Sequence, residues 1–174
     1  MSKTYIQTFT GKHFYPFDPN PDDICIEDVA HALAHQCRFT GHCKSFYSVA
    51  QHSIIVSNLV SGKEDRRWGL LHDASEAYLT DVARPVKHSP AFAEYRKAEA
   101  LVMKAVCKKF GLEGMMPSTV HAADNIALAS EAYCLMGDVS SWGLSEDDMK
   151  RVAVYPIAPD RAEAAFLSLY WSLA

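Results

Sequence analysis

The chain changes its pattern of polar and apolar positions near Asp23. Before it, "TYIQTFTGKHFYPFDPNPDD" alternates aromatic or aliphatic residues with polar ones around Thr10-Gly11-Lys12. Alternation of period two about a glycine-bearing turn predicts a short β-hairpin, closed by Pro16, Pro19 and Pro21. Beyond it the apolar positions recur at helical spacing nearly throughout. Ile26, Val29, Ala30 and Leu33 share one face and predict a helix over Ile26 to Cys37, with Gly41 breaking the chain. "SVAQ" resembles a capping box, Ser48 capping and Gln51 reaching back, so a second helix runs from Ser48 to Leu59 and ends at Ser61-Gly62. A third spans Lys63 to Tyr78, and the loop "TDVARPVKHS" comes next. A fourth opens at Ser89-Pro90, with proline at the first helical position, and stops at Gly111. A fifth covers Pro117 to Leu135, ended by Gly137. A sixth runs from Pro159-Asp160 to the C-terminus, with a weaker short helix near Ser145 to Arg151. The expected fold is all-α: a bundle of about six helices in one domain over residues 1–174, with residues 1–23 as a small hairpin appendage.

Composition narrows the function. At 174 residues and 49% hydrophobic, the chain has the usual size of one domain and enough apolar mass for a core. A net charge of −4 argues against a large basic footprint for duplex nucleic acid. A small anionic ligand needs only a few local cations and stays open. No apolar run reaches the ~18 residues of a membrane span, and the start MSKTYIQTFTGKHF lacks a signal-peptide core. The expectation is a cytoplasmic protein without a membrane partner. Cys25, Cys37, Cys43, Cys107 and Cys134 are odd in number, widely spaced and form no CxxC. They read as reduced thiols that mostly pack, with a zinc site on Cys37 and Cys43 the lesser alternative.

The stretch "LLHDASEAYLTD" sets three acidic residues and a histidine against an apolar background. On a helix Asp73 and Glu76, three apart, share a face, and His72 lies about 100° round from Asp73. The second helix offers His52 among Ala50, Ile54, Ile55 and Val56, and the fifth offers Asp124 within "HAADNIALASEA". An ionisable group on a packing surface is costly unless paired or liganded. One divalent cation would answer all of them. Two imidazoles and two carboxylates suit Mn²⁺, Fe²⁺, Co²⁺, Ni²⁺ or Zn²⁺ and leave positions for water and substrate oxygens. The bland readings stand beside this one. A lone helix histidine is commonly a satisfied residue, a His-Asp dipeptide arises by chance, and Asp124 could pair with a lysine or arginine. His13, His31, His35, His42, His88 and His121 are ordinary polar residues by default. His121, sharing a face with Asp124, is a reserve ligand.

The order His52, His72-Asp73, Asp124 is similar to the signature of the HD-domain metal-dependent phosphohydrolases. "YSVAQHS" followed by "LLHDASEAYLTDVARPVKH" resembles the bacterial 5′-deoxynucleotidases of the YfbR and YfdR kind, and "TFTGKHFYPFDP" with "DICIEDVAHALAHQCRFTGH" resembles the YfdR-like branch. The resemblance covers roughly residues 5 to 135. It implies an HD-domain bundle with one divalent transition metal held by His52, His72, Asp73 and Asp124. It implies that Glu76 positions or activates water and that Asp81 is a further catalytic acid. It places Arg38 and Lys87 at the phosphate and Phe39 at the sugar. The best-known branch carries tryptophan at the Phe39 position, which leaves sugar selectivity open.

The chemistry fits these residue types. A divalent metal lowers the pKa of bound water and polarises a phosphoryl oxygen. Arginine grips phosphate bidentately, lysine adds a point charge, and a buried carboxylate can move the proton. The expected function is hydrolysis of phosphate from (deoxy)nucleoside 5′-phosphates, a small-molecule nucleotide being the partner. The alternative is a dATP triphosphohydrolase like related phage enzymes, with Lys44, Arg84 and His88 as added cations and Mg²⁺ on the substrate phosphates. More distant are a diiron HD oxygenase using His88 and His121, and a non-catalytic nucleotide-binding module. Helical HD proteins of this size often form homo-oligomers. In the tail "AFLSLYWSLA", Phe166, Leu169, Tyr170 and Trp171 read first as core and second as an interface.

Overall fold

The computed structural model describes residues 4–174. Strands β1 (Ile6–Gln7) and β2 (His13–Phe14) pair antiparallel, Ile6 opposite Phe14 and Gln7 opposite His13. The turn between them passes through Gly11 at φ 85°, a conformation that costs glycine little. This hairpin is more than an appendage. Thr10 donates its backbone N–H and its hydroxyl to the two oxygens of Asp28, at 2.7 and 2.9 Å. Phe14 is fully buried and stacks on Tyr78.

Asp28 lies in the first turn of α1 (Ile26–His35), where acidic side chains favour the positive end of the helix. The helix buries Ile26, Val29, Ala30 and Leu33 as the periodicity requires, but it stops two residues before Cys37. Gln36 turns extended, and Cys37 pairs with Ser48 in an isolated antiparallel bridge that draws the chain out of the helix. In α2 (Val49–Leu59) the Ser48 hydroxyl accepts from the Gln51 N–H at 3.2 Å, which is one half of the expected capping box. The other half fails. The Gln51 amide donates to the Tyr155 carbonyl at 3.0 Å and accepts from Ile157 N–H at 3.3 Å. A nearly buried glutamine needs partners, and the C-terminal segment supplies them.

The expected third helix is broken. α3 (Lys63–Leu71) ends in a turn over His72 to Ser75, and α4 (Glu76–Leu79) begins directly after it. The turn is tightened by bonds that reach back three residues: Ala74 N–H to Leu71 O, Glu76 N–H to Asp73 O, and Tyr78 N–H to Ser75 O. Gln36 clamps both ends of α4, donating to the Glu76 carbonyl at 2.9 Å and accepting from Asp81 N–H at 3.0 Å. The next loop contains a short helix, α5 (Arg84–Lys87). Pro90 opens a 3₁₀ turn over Pro90–Phe92, after which α6 (Ala93–Phe110) runs to Gly111, left-handed at φ 64° as a helix stop demands. α7 (Ser118–Leu135) is ended by extended Met136, one residue before Gly137. α8 (Glu146–Met149) is four residues long, and α9 (Pro159–Ser172) begins with its proline.

α2 packs on α1, α3, α7 and α9, and so sits at the centre of the helices. The result is a mostly helical chain with a two-stranded sheet near its N-terminus, as the hydrophobic pattern implies. In α9 Phe166 is fully buried, while Trp171 is exposed. No helix among the described residues is long and apolar enough to cross a membrane.

Gly69 sets how closely α3 approaches α2. A Cβ there would stand 2.9 Å from the Ser57 Cα. Gly69→Ala is therefore expected to destabilise the chain by about 1–3 kcal/mol, read as a lower midpoint in urea unfolding. An unchanged midpoint would mean that the two helices have room to spare.

Candidate metal centre

Three segments deliver ionisable side chains to one point. α2 brings His52, the turn after α3 brings His72 and Asp73, and α7 brings Asp124. His52 Nε2 lies 3.1 Å from Asp124 Oδ1 and 3.7 Å from Asp73 Oδ2. His72 Nε2 lies 3.3 Å from Asp73 Oδ2 and 4.0 Å from Asp124 Oδ1. His52, His72 and Asp73 each offer a ligand atom within 4.8 Å of the others.

The far side of each imidazole fixes which nitrogen faces inward. His72 Nδ1 is 2.8 Å from the Gly69 carbonyl, which can only accept, so this nitrogen carries the proton. His52 Nδ1 is 3.0 Å from Glu131 Oε1, and that carboxylate likewise accepts. Both rings therefore aim Nε2 at Asp73 and Asp124. Both Nε2 atoms are buried and lack an aligned hydrogen bond, despite the short distances. Buried imidazole nitrogens and two carboxylates directed toward a common point are suited to a cation. The imidazoles are enclosed, while Asp73 and Asp124 are 22% and 21% exposed. The centre opens on its carboxylate side.

Glu131 organises this wall, although the motif in the sequence does not include it. It is fully buried, yet its carboxyl is held below the usual range. Burial pushes it up, but Arg38, His52 and the Tyr47 hydroxyl, which donates at 3.0 Å, outweigh that. The available signal was its place seven residues after Asp124 on one helix, two turns along the same face.

Arg38 reaches the centre from the loop after α1. Its Nε is 3.0 Å from Glu131 and its Nη1 3.9 Å from Asp73, and its guanidinium lies 5.5 Å from the Phe39 ring centre. Burial opposes its charge, but Glu131 and the nearby aspartates hold it firmly protonated. Phe39, Thr40 and Thr80 have φ of 54°, 54° and 69°, and among the described residues no other non-glycine residue has a positive φ. They sit beside Arg38 and Asp81, so the backbone strain is concentrated at this site.

Glu76 is buried, with Oε1 accepting from Lys87 Nζ at 3.2 Å and Oε2 unpartnered. Burial, with Asp73 and Asp81 adjacent, holds its carboxyl well above the usual range. Burial raises Asp81 too, with Asp73 adding to the shift and Arg38 and Lys87 opposing it. Lys87 is shared between Glu76 and Glu99 of α6, the latter at 2.6 Å, rather than standing free toward an anion. Arg84 is more exposed and lies 3.7 Å from Asp124.

Other candidates are not brought in. His121 is exposed and joins no metal-sized group among the described residues, because α7 turns Asp124 inward and His121 out. Lys44 and His88 are exposed, and His88 joins no such group among the described residues. All five cysteines are free thiols. Cys43 donates to the Arg38 carbonyl, and burial, with Cys37 adjacent, pushes its thiol up to about 11, which disfavours thiolate ligation.

Burial and Arg38 disfavour the His52 imidazolium, but Glu131 and Asp124 hold it protonated up to about 10, against 6.5 ordinarily. In the metal-free chain this stabilises the fold fully below pH 6.5 and is lost as pH rises through about 10. A metal ion taken by Nε2 must displace that proton. Calorimetric titration at pH 8 in buffers of different ionisation enthalpy is therefore expected to show about one proton released from His52 per ion bound. Binding without proton release would mean that His52 is already neutral.

The class this fold and site define is a mostly helical protein with a buried His/Asp group that could hold a metal ion. The chain is 38% identical over 174 residues to the uncharacterized protein YfdR of Escherichia coli, covering 98% of this chain and 96% of that one. It is 34% identical over 149 residues to an uncharacterized protein of Rhodobacter capsulatus, covering 79% and 76% of the two chains. The chain belongs to the family of YfdR. No family model matches it.

Proposed function

We propose that the chain is a metal-dependent phosphohydrolase acting on (deoxy)nucleoside 5′-phosphates. The observation that carries this reading is the convergence of two buried Nε2 atoms on Asp73 and Asp124 beside a buried arginine. His52, His72, Asp73 and Asp124 would hold the metal. When bound, a transition ion lowers the pKa of water and polarises a phosphoryl oxygen.

The remaining chemistry belongs to the chain. Arg38, fixed in place by Glu131, offers a guanidinium to the phosphate oxygens. Water adds to phosphorus, the ester P–O bond breaks, and the departing 5′ oxygen takes up a proton. Glu76 and Asp81, both raised above the usual carboxylate range, are suited to carry that proton from the water to the leaving oxygen. Phe39 borders the guanidinium where a sugar would lie. A second reading draws on Arg84, whose exposed guanidinium near Asp124 would suit a longer phosphate chain and triphosphate release.

The test is a panel of AMP, dAMP, ATP and dATP with Mn²⁺, Co²⁺, Ni²⁺ and Zn²⁺, measuring orthophosphate and triphosphate. Metal-dependent orthophosphate release from the monophosphates, lost in Glu76→Gln, is the expected result. Triphosphate release from dATP would favour the second reading. A folded, metal-loaded chain inert to every nucleotide would overturn both.

A further inference from the structure

A second histidine pair lies away from the His52 centre. His31 and His35 stand four residues apart on α1 and so share a face. Glu163 reaches them from α9, its Oε2 3.0 Å from His31 Nδ1. The two imidazole rings are 4.2 Å apart, and the three side chains offer ligand atoms within 4.8 Å of one another.

Their surroundings preset them. His35 Nδ1 is 2.8 Å from the His31 carbonyl, which only accepts, so the neutral ring carries its lone pair on Nε2. Phe9 of the hairpin stacks on His31 at 3.7 Å with 9° between the planes, which holds that ring in one orientation. Partners that fix ring orientation and tautomer are what metal-binding histidines commonly have.

We propose that His31, His35 and Glu163 form a second metal site, for Zn²⁺. Two imidazoles and one carboxylate make a donor set for a borderline ion, whereas Mg²⁺ and Ca²⁺ prefer oxygen ligands. His31 and Glu163 are partly buried and His35 is exposed, so the remaining coordination positions face solvent and the ion exchanges freely. Its role is mechanical. It ties α1 to α9 at the last turn of α1, with the hairpin held against it through Phe9. The next residue is Gln36, which clamps Glu76 and Asp81, and Arg38 lies two further on. The ion thus fastens the helix end from which the arginine loop departs. The site does not depend on the proposed enzymatic reading.

Equilibrium dialysis against Zn²⁺, with metal counted per chain, tests it. Asp73→Asn removes a ligand of the His52 centre and is expected to leave one bound equivalent. Adding His35→Ala or Glu163→Gln to that variant is expected to remove it, along with the rise in unfolding temperature that Zn²⁺ gives Asp73→Asn. His35 is exposed, so its loss leaves the core intact. If the double variants bind and are stabilised by Zn²⁺ as Asp73→Asn is, or if Asp73→Asn binds no Zn²⁺, the proposal is wrong.

Discussion

Asp73→Asn is expected to leave the fold standing while the metal proposed for the His52 centre is lost and the proposed nucleotide turnover falls on the order of 10³-fold. The side chain is partly exposed, so little packing is at stake. Its Oδ2 lies 3.3 and 3.7 Å from the two inward imidazole nitrogens and thus faces the point where a cation would sit. An amide keeps the shape and removes the charge that offsets the ion. A catalytic metal supplies several kcal/mol to the transition state, and each 1.36 kcal/mol is about tenfold in rate, which sets the expected scale. Metal content per chain and kcat are the two readouts. Full metal content with wild-type turnover would remove Asp73 from the site.

Glu131→Gln should damage stability and metal binding together. The carboxylate is fully buried and meets His52 Nδ1, the Tyr47 hydroxyl and Arg38 Nε, each at 3.0 Å. Glutamine fits the space but takes from buried Arg38 its nearest charged partner, leaving Asp73 at 3.9 Å, where breaking a buried pair costs up to about 3–5 kcal/mol. It also loosens the orientation of the His52 ring, and such outer partners typically account for 10–100-fold in metal affinity. The pH dependence separates this from a packing defect. Glu131 is held below its ordinary value of 4.5, so its contribution is present above pH 4.5 and fades as pH falls through the lower folded value. The wild type should lose stability in that acid range, and Glu131→Gln should lose less. Equal acid sensitivity with unchanged metal affinity would show that the surrounding core, not Glu131, orients His52.

The helices are legible in the sequence where one face is apolar and the ends carry local signals. Ser48 caps α2, and Gly111 stops α6 in the left-handed conformation, both residues whose conformational preference is intrinsic. The pattern is less informative where tertiary contacts decide. Nothing local marks the break after Leu71, because Ala74, Ser75 and Glu76 are all compatible with helix. The break arises where Gln36, 40 residues away in sequence, holds the Glu76 carbonyl. Gln51 has the local pattern of half a capping box, but a buried amide bonds whichever partner reaches it, here the segment before α9.

The same divide runs through the candidate site. His52, His72, Asp73 and Asp124 stand out as ionisable groups on apolar faces, and the fold brings them together. Glu131 has the same signature and is masked by proximity to Asp124 in a single stretch. The resemblance places Lys87 at the phosphate, but its amine is paired with Glu76 and Glu99. Its partner Glu99 comes from a helix whose docking no local pattern predicts. His121 has a ligand's spacing from Asp124, but the three-residue step that brings it near leaves it on the solvent side of α7.

The proposed chemistry needs one cation shared by two imidazoles and two carboxylates drawn from three parts of the chain. Crystals grown with Co²⁺ and measured at the cobalt absorption edge test it most directly. The predicted result is an anomalous peak about 2.0–2.2 Å from Nε2 of His52, Nε2 of His72 and an oxygen of each of Asp73 and Asp124. A map with no peak among those four side chains, in a chain with this helical fold, would contradict it.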